Sequence, residues 1–178
     1  MNKVKLLACI LMFLVSGFIS NAIAAGDHQF DKVTFTKIAK KTIGKVISGN
    51  IDADAMITDM EKLVALGIEG CKEHMNEAGT SADEIKVMQM VIDNASSMGS
   101  MSLADIEAQW HEGAFAKANG VDISGFDHFS EVLSHYDTVI HPATAIICLK
   151  QYKVLADEAL LEQVQDELAE VNEHINHL

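Results

Sequence analysis

The chain has 178 residues, 26 aspartates and glutamates, 13 basic residues that are all lysine, and a net charge of −13 with histidine neutral. An acidic chain without a guanidinium group lacks the forked phosphate recognition and the cationic field that nucleic acids and anionic membranes attract. One proline, scattered glycines and no strand-like alternation point to an all-α fold.

The first 24 residues read as a cleaved secretory signal. Lys3 and Lys5 precede an apolar run from Leu6 to Ile19, and Ala22-Ile23-Ala24 supplies the small residues a signal peptidase selects. The apolar run is too short for a retained anchor. Cys9 precedes most of it, so Leu6-Leu7-Ala8-Cys9 does not match a lipidation site. The expectation is a periplasmic or secreted protein, without a stable membrane anchor after cleavage, whose residues 25–178 form a single helical-bundle domain. That length suits one ordinary core. Cleavage removes two lysines and no acid, taking the charge from −13 to −15.

Four to six helices with a long C-terminal helix are predicted, and the periodicity divides into six segments. The first spans 30–48, carries Lys32, Lys37, Lys40, Lys41 and Lys45, and stops at Ser48-Gly49-Asn50. The second spans 54–76, with Met56, Met60, Leu63, Gly67, Cys71 and Met75 on one stripe. Thr80-Ser81 caps a third, with Asp83 and Glu84 in its first turn, where the helix dipole favours anions. The break at Ser96–Ser102 precedes a fourth segment with Leu103, Ile106, Trp110 and Ala114 on its inner face. After a loop at 119–125, a fifth carries Phe126, Phe129, Leu133, Tyr136 and Ile140, and His141-Pro142 is expected to open a last helix, since proline suits a first turn. Its stripe is Leu161, Val164, Leu168, Val171, Ile175 and Leu178, and its polar face is strongly acidic.

Cys71 and Cys148 remain after cleavage. An even pair in an oxidising compartment predicts a disulfide, with two buried thiols on apolar stripes as the other reading. A disulfide would require one joint of the bundle to bend instead of reverse. No Cys-x-x-Cys is present, which argues against redox chemistry, and no Cys-x-x-Cys-His, which removes covalent haem.

The histidines carry the strongest chemical signal. Five of eight have an acid four residues earlier: Glu107/His111, Glu131/His135, Asp137/His141, Glu170/His174 and Glu173/His177. Random placement gives about one, so the spacing calls for a cause. One cause is local electrostatics within each helix. Another is a metal site. If segments four and five fold as a hairpin about residue 121 or 122, Glu107, His111, Glu131 and His135 share one level, with His128 a turn away. Two imidazoles and two carboxylates suit zinc, iron, manganese or copper. His128, Glu131 and His135 lie about 140° from the apolar stripe, which predicts a superficial site.

No phosphate loop, nucleophile elbow or His-Glu-x-x-His motif occurs. The leading expectation is therefore a non-enzymatic exported bundle that binds a protein or small ligand, tuned by pH through its acid-paired histidines. The competing one is a metalloprotein at the Glu107–His135 group, with enzymatic chemistry open to it. Self-association into a homo-oligomer stays open.

Overall fold

Side-chain caps set where the helices begin. Asp31, Asp52, Ser81, Ser102, Ser130 and Asp157 each accept a backbone N–H from the first turn they precede, satisfying donors that have no partner inside the helix. Ser81 and Glu84 close a reciprocal capping box. The computed structural model describes residues 30–178, so the signal reading for 1–24 lies outside the described residues.

Seven α-helices follow: α1 (Lys32–Ile47), α2 (Ala53–His74), α3 (Ala82–Met98), α4 (Leu103–Ile106), α5 (Ala114–Ala118), α6 (Glu131–Leu155) and α7 (Glu158–Ile175). A π-helical segment, Glu107–His111, continues α4, and a 3₁₀ turn, Ile123–Gly125, follows α5. No strand occurs among the described residues, and none of their helices is long and apolar enough to cross a membrane. The all-α bundle expected from the periodicity is the fold, closed by the C-terminal helix α7.

The central helix is α6. Every residue from Thr138 to Leu149 is buried, the signature of a helix surrounded on all sides. Its main partners are α2 and α7, both antiparallel to it, with α3 on a third side and α1 closing over α7 and α2. This divides the core into two clusters. One joins Phe35, Met56, Met60 and Leu63 to Leu149 and the α7 stripe of Leu161, Val164 and Leu168. The other joins Cys71, Val87, Met88 and Val91 to Trp110, Tyr136 and Ile140.

Three expectations are corrected by this arrangement. Pro142 does not open a helix but sits inside α6. A proline there leaves the Thr138 carbonyl without its helical donor, and the α2 backbone approaches that carbonyl. A Cβ at Gly67 would stand 2.6 Å from the Thr138 oxygen, so only glycine fits. The actual break follows at Ala156, in the left-handed conformation (φ 53°), with Asp157 capping α7. The single fourth segment is likewise divided, at Gly113 (φ 75°).

The third correction is the disulfide: Cys71 and Cys148 are free and buried. The Cys71 thiol reaches the His135 carbonyl (3.5 Å). Cys148 lies thirteen residues further along the same unbroken helix, on the order of 20 Å away at 1.5 Å per residue. A disulfide needs Cα atoms within about 7 Å. The joint on which pairing depended is absent because α6 continues unbroken through His141-Pro142. Burial pushes both thiols up to about 12.

Candidate metal centre

Helix α6 presents Asp137, His141 and Thr144 along one face, spaced four and three residues apart. From α7, Glu167, Glu170 and His174 face them at spacings of three and four. The antiparallel pairing sets 141 against 167 and 137 against 174. His111 comes from the π-helical segment, where the Glu112 N–H bonds to the Glu107 carbonyl (2.9 Å), five residues back. The wide turn is pinned from behind, because the Tyr136 hydroxyl donates to the Trp110 carbonyl (2.6 Å). Single-turn π segments recur at functional sites because the extra residue re-aims a side chain, here His111 towards α6 and α7.

Two carboxylates link the imidazoles. The His141 Nδ1–H donates to Glu167 Oε2 (2.7 Å), and its Nε2 lies 3.8 Å from Asp137 Oδ1. The other Asp137 oxygen, Oδ2, is 3.2 Å from His174 Nε2 but off the line of a hydrogen bond, so that nitrogen is buried and unpaired. His174 Nδ1 faces the Ser134 hydroxyl (3.5 Å). Glu167 Oε2 also lies 3.8 Å from His111 Nε2, which donates to Thr144 Oγ1 (3.0 Å), whose own proton goes to the Ile140 carbonyl.

Donor atoms of Asp137, His141 and His174 lie within 4.8 Å of one another, as do those of His111, His141 and Glu167, and those of His128, Glu170 and His174. The first set is the best prepared. Each imidazole points Nε2 inward and has its Nδ1 facing an outer group, Glu167 for His141 and Ser134 for His174. A second group on the far nitrogen is how proteins orient metal-bound histidines.

The electrostatics of the cluster ask for a cation. Burial drives the Asp137 carboxyl up to about 7; the His141 charge opposes this, and Glu170 and Glu167 add to it. Burial also works against the His141 imidazolium, but the Glu167 hydrogen bond and the charges of Asp137, Glu167 and Glu170 outweigh it and raise its pKa. His174 is held down to about 4 by burial and by His141, His128 and His177, and burial with His141 lowers His111. One imidazolium thus shares its surroundings with Glu167, the exposed Glu170 and an Asp137 carboxyl that gains and loses its proton near neutrality. A divalent ion between Asp137, His141 and His174 would take the place of the exchangeable proton and matches the nitrogen–oxygen donor set.

The five residues expected from sequence do not form one group. His111 enters the central cluster. His128 stands in the loop before α6, its ring 4.9 Å from that of His174. Glu131 and His135 lie at the start of α6 beside His74, and their donor atoms form a separate set with it. Glu107 is exposed and joins none of the ligand sets among the described residues, although its charge reaches His111. The expected hairpin is absent because α5 has five residues and the chain crosses loop and 3₁₀ turn before α6 starts. His135 is buried and not superficial, since α2 covers the face that the apolar stripe leaves polar.

Asp137, His141, Glu167, His174 and His74 are not among the candidate ligands expected from the sequence. Two of the acid–His spacings contained the signal. Only Asp137/His141 lies within 4 Å as a pair inside its own helix among the described residues; the other cluster contacts cross between elements. No family model, curated protein or solved structure matches the chain.

Proposed function

We propose that the protein is an exported, non-enzymatic helical bundle that holds a divalent first-row transition ion between α6 and α7. Asp137, His141 and His174 would be its ligands, with Glu167 and Ser134 orienting the two rings. The carrying observation is the buried, unpaired Nε2 of His174 facing Asp137 and the Nε2 side of His141. Retention of an ion is favoured over catalysis by enclosure, because His141 is 3% and His174 0% exposed. Binding displaces protons from the rings and from Asp137, so affinity falls with acidity. The export part rests on the leader pattern of residues 1–24.

Elemental analysis of untagged protein from the cell envelope tests the reading. At least one equivalent of zinc, iron, manganese or copper per chain is expected, falling by about one in Asp137→Asn and His174→Asn. A metal content unchanged in both variants, or none in the native protein, ends the proposal.

The reading of a pH-tuned ligand binder draws on the same residues. Asp137, raised to about 7, and His174, lowered to about 4, bring proton exchange at the cluster into the acid-to-neutral range. Comparing one binding partner's affinity at pH 5.5 and 7.5 decides it, and equal values remove the pH element.

A further inference from the structure

The same construction occurs a second time in this molecule, at the other face of α6. Glu131 and His135 repeat the acid-x-x-x-His spacing of Asp137 and His141, six residues earlier. Six residues turn the helix by about 240° and move about 9 Å along it, so the earlier pair faces α2 where the later faces α7. Each neighbouring helix contributes a histidine near its C-terminal end, His74 from α2 and His174 from α7. In each case a carboxylate engages the far nitrogen of one imidazole: Glu167 for His141, and Glu77 for His74 (Nδ1 to Oε2, 3.0 Å).

We infer that His74, His135 and Glu131 form a second metal site, built for a divalent ion of the iron-to-zinc series. Donor atoms of the three lie within 4.8 Å of one another, and the two rings are 5.3 Å apart between centroids. Both histidines are more than nine-tenths buried, at 4% exposure each. Yet His74 Nε2 and His135 Nδ1 have no hydrogen-bond partner, an arrangement folded proteins avoid unless something occupies the site. Gly70 is shaped to this end. A Cβ there would stand 2.8 Å from His135 Nδ1, so the glycine leaves room for the ring to lie against α2.

The donor set decides the class of ligand. Two imidazoles and one carboxylate form the set that binds zinc and ferrous ions while leaving coordination positions open. Glu131 and His135 also line a small pocket with Phe30, Lys32, Glu73 and Glu77. Three carboxylates against one ammonium leave the pocket attractive to a cation. Glu131 is exposed and His135 opens on the pocket, so this site exchanges with solvent, whereas the Asp137 site is enclosed. The inference does not depend on that central site being occupied.

Zinc binding to the untagged chain, counted by equilibrium dialysis at pH 7.5, tests it, with cobalt(II) absorption as a spectroscopic probe. His74→Asn is expected to bind one equivalent fewer than the parent, and Glu131→Gln to weaken one site by at least about tenfold. Unchanged zinc number and affinity in both variants overturns the inference. Loss confined to His174→Asn also overturns it while sustaining the central reading. Loss in His74→Asn and Glu131→Gln with none in His174→Asn has the opposite consequence. Should His74→Asn fail to fold by circular dichroism, Glu131→Gln alone decides between these outcomes, because its exposed carboxylate can be replaced without disturbing the core.

Discussion

Replacing glycine by alanine at positions 67 and 44 should shift stability in opposite directions. At Gly44, in the exposed part of α1, an added Cβ meets nothing within 4 Å. The substitution therefore only removes backbone freedom from the unfolded chain, which stabilises by about 0.5–1 kcal/mol. At Gly67 the same methyl lands 2.6 Å from the Thr138 carbonyl oxygen and 2.8 Å from its carbon. These are backbone atoms of the most buried helix and cannot rotate aside, so α2 and α6 must part by several tenths of an ångström. Overpacking of this kind costs up to about 3 kcal/mol. After the helix-propensity gain of about 1 kcal/mol, roughly 2 kcal/mol of destabilisation remains, or about 4–8 °C in melting temperature for a domain of this size. Urea denaturation followed by circular dichroism, with EDTA present, measures both. Equal, favourable effects at the two positions would refute the close α2–α6 approach, and with it the account of how Pro142 is accommodated.

Two further outcomes follow from buried groups. His135 is held down to about 3, first by burial and then by His74 and Lys32. A histidine lowered in the folded state supports stability above its unfolded value of about 6.5, and that support is lost as pH falls below it. Between pH 7 and 4.5 the loss from this one group is about 2.5 kcal/mol at 1.36 kcal/mol per pH unit. His135→Asn should therefore flatten the acid limb of stability in EDTA by about that amount; an unchanged limb would show that the ring is not buried as described. For the cysteines, a thiol reagent should leave Cys71 and Cys148 untouched in native protein and label both in guanidinium without reductant. Failure to label them after denaturation would restore the disulfide.

Much of the fold is legible in the sequence because local rules decide it. The caps at Ser81 and Ser102 and the apolar stripes of α2 and α7 act within a few residues of chain. Pro142 misleads for the same reason. Its local preference is a first turn, but the missing donor is tolerated where Gly67 packs against the freed carbonyl, and position 67 lies 75 residues away. Ala156, which does end α6, carries neither glycine nor proline to announce it. Among the candidate ligands, His111 and His135 stand out by spacing, yet spacing does not say which helix each faces.

The amino-acid order alone thus determined an all-α chain, the residue types able to hold a metal and their one-turn pairing, since each depends on neighbours within a helical turn. Tertiary structure decided that α6 runs unbroken at the centre, with α2 on one face and α7 on another. That single packing arrangement separates the cysteines and buries His135. It also distributes the acid–histidine pairs over two faces, because a pair six residues further along a helix points in another direction.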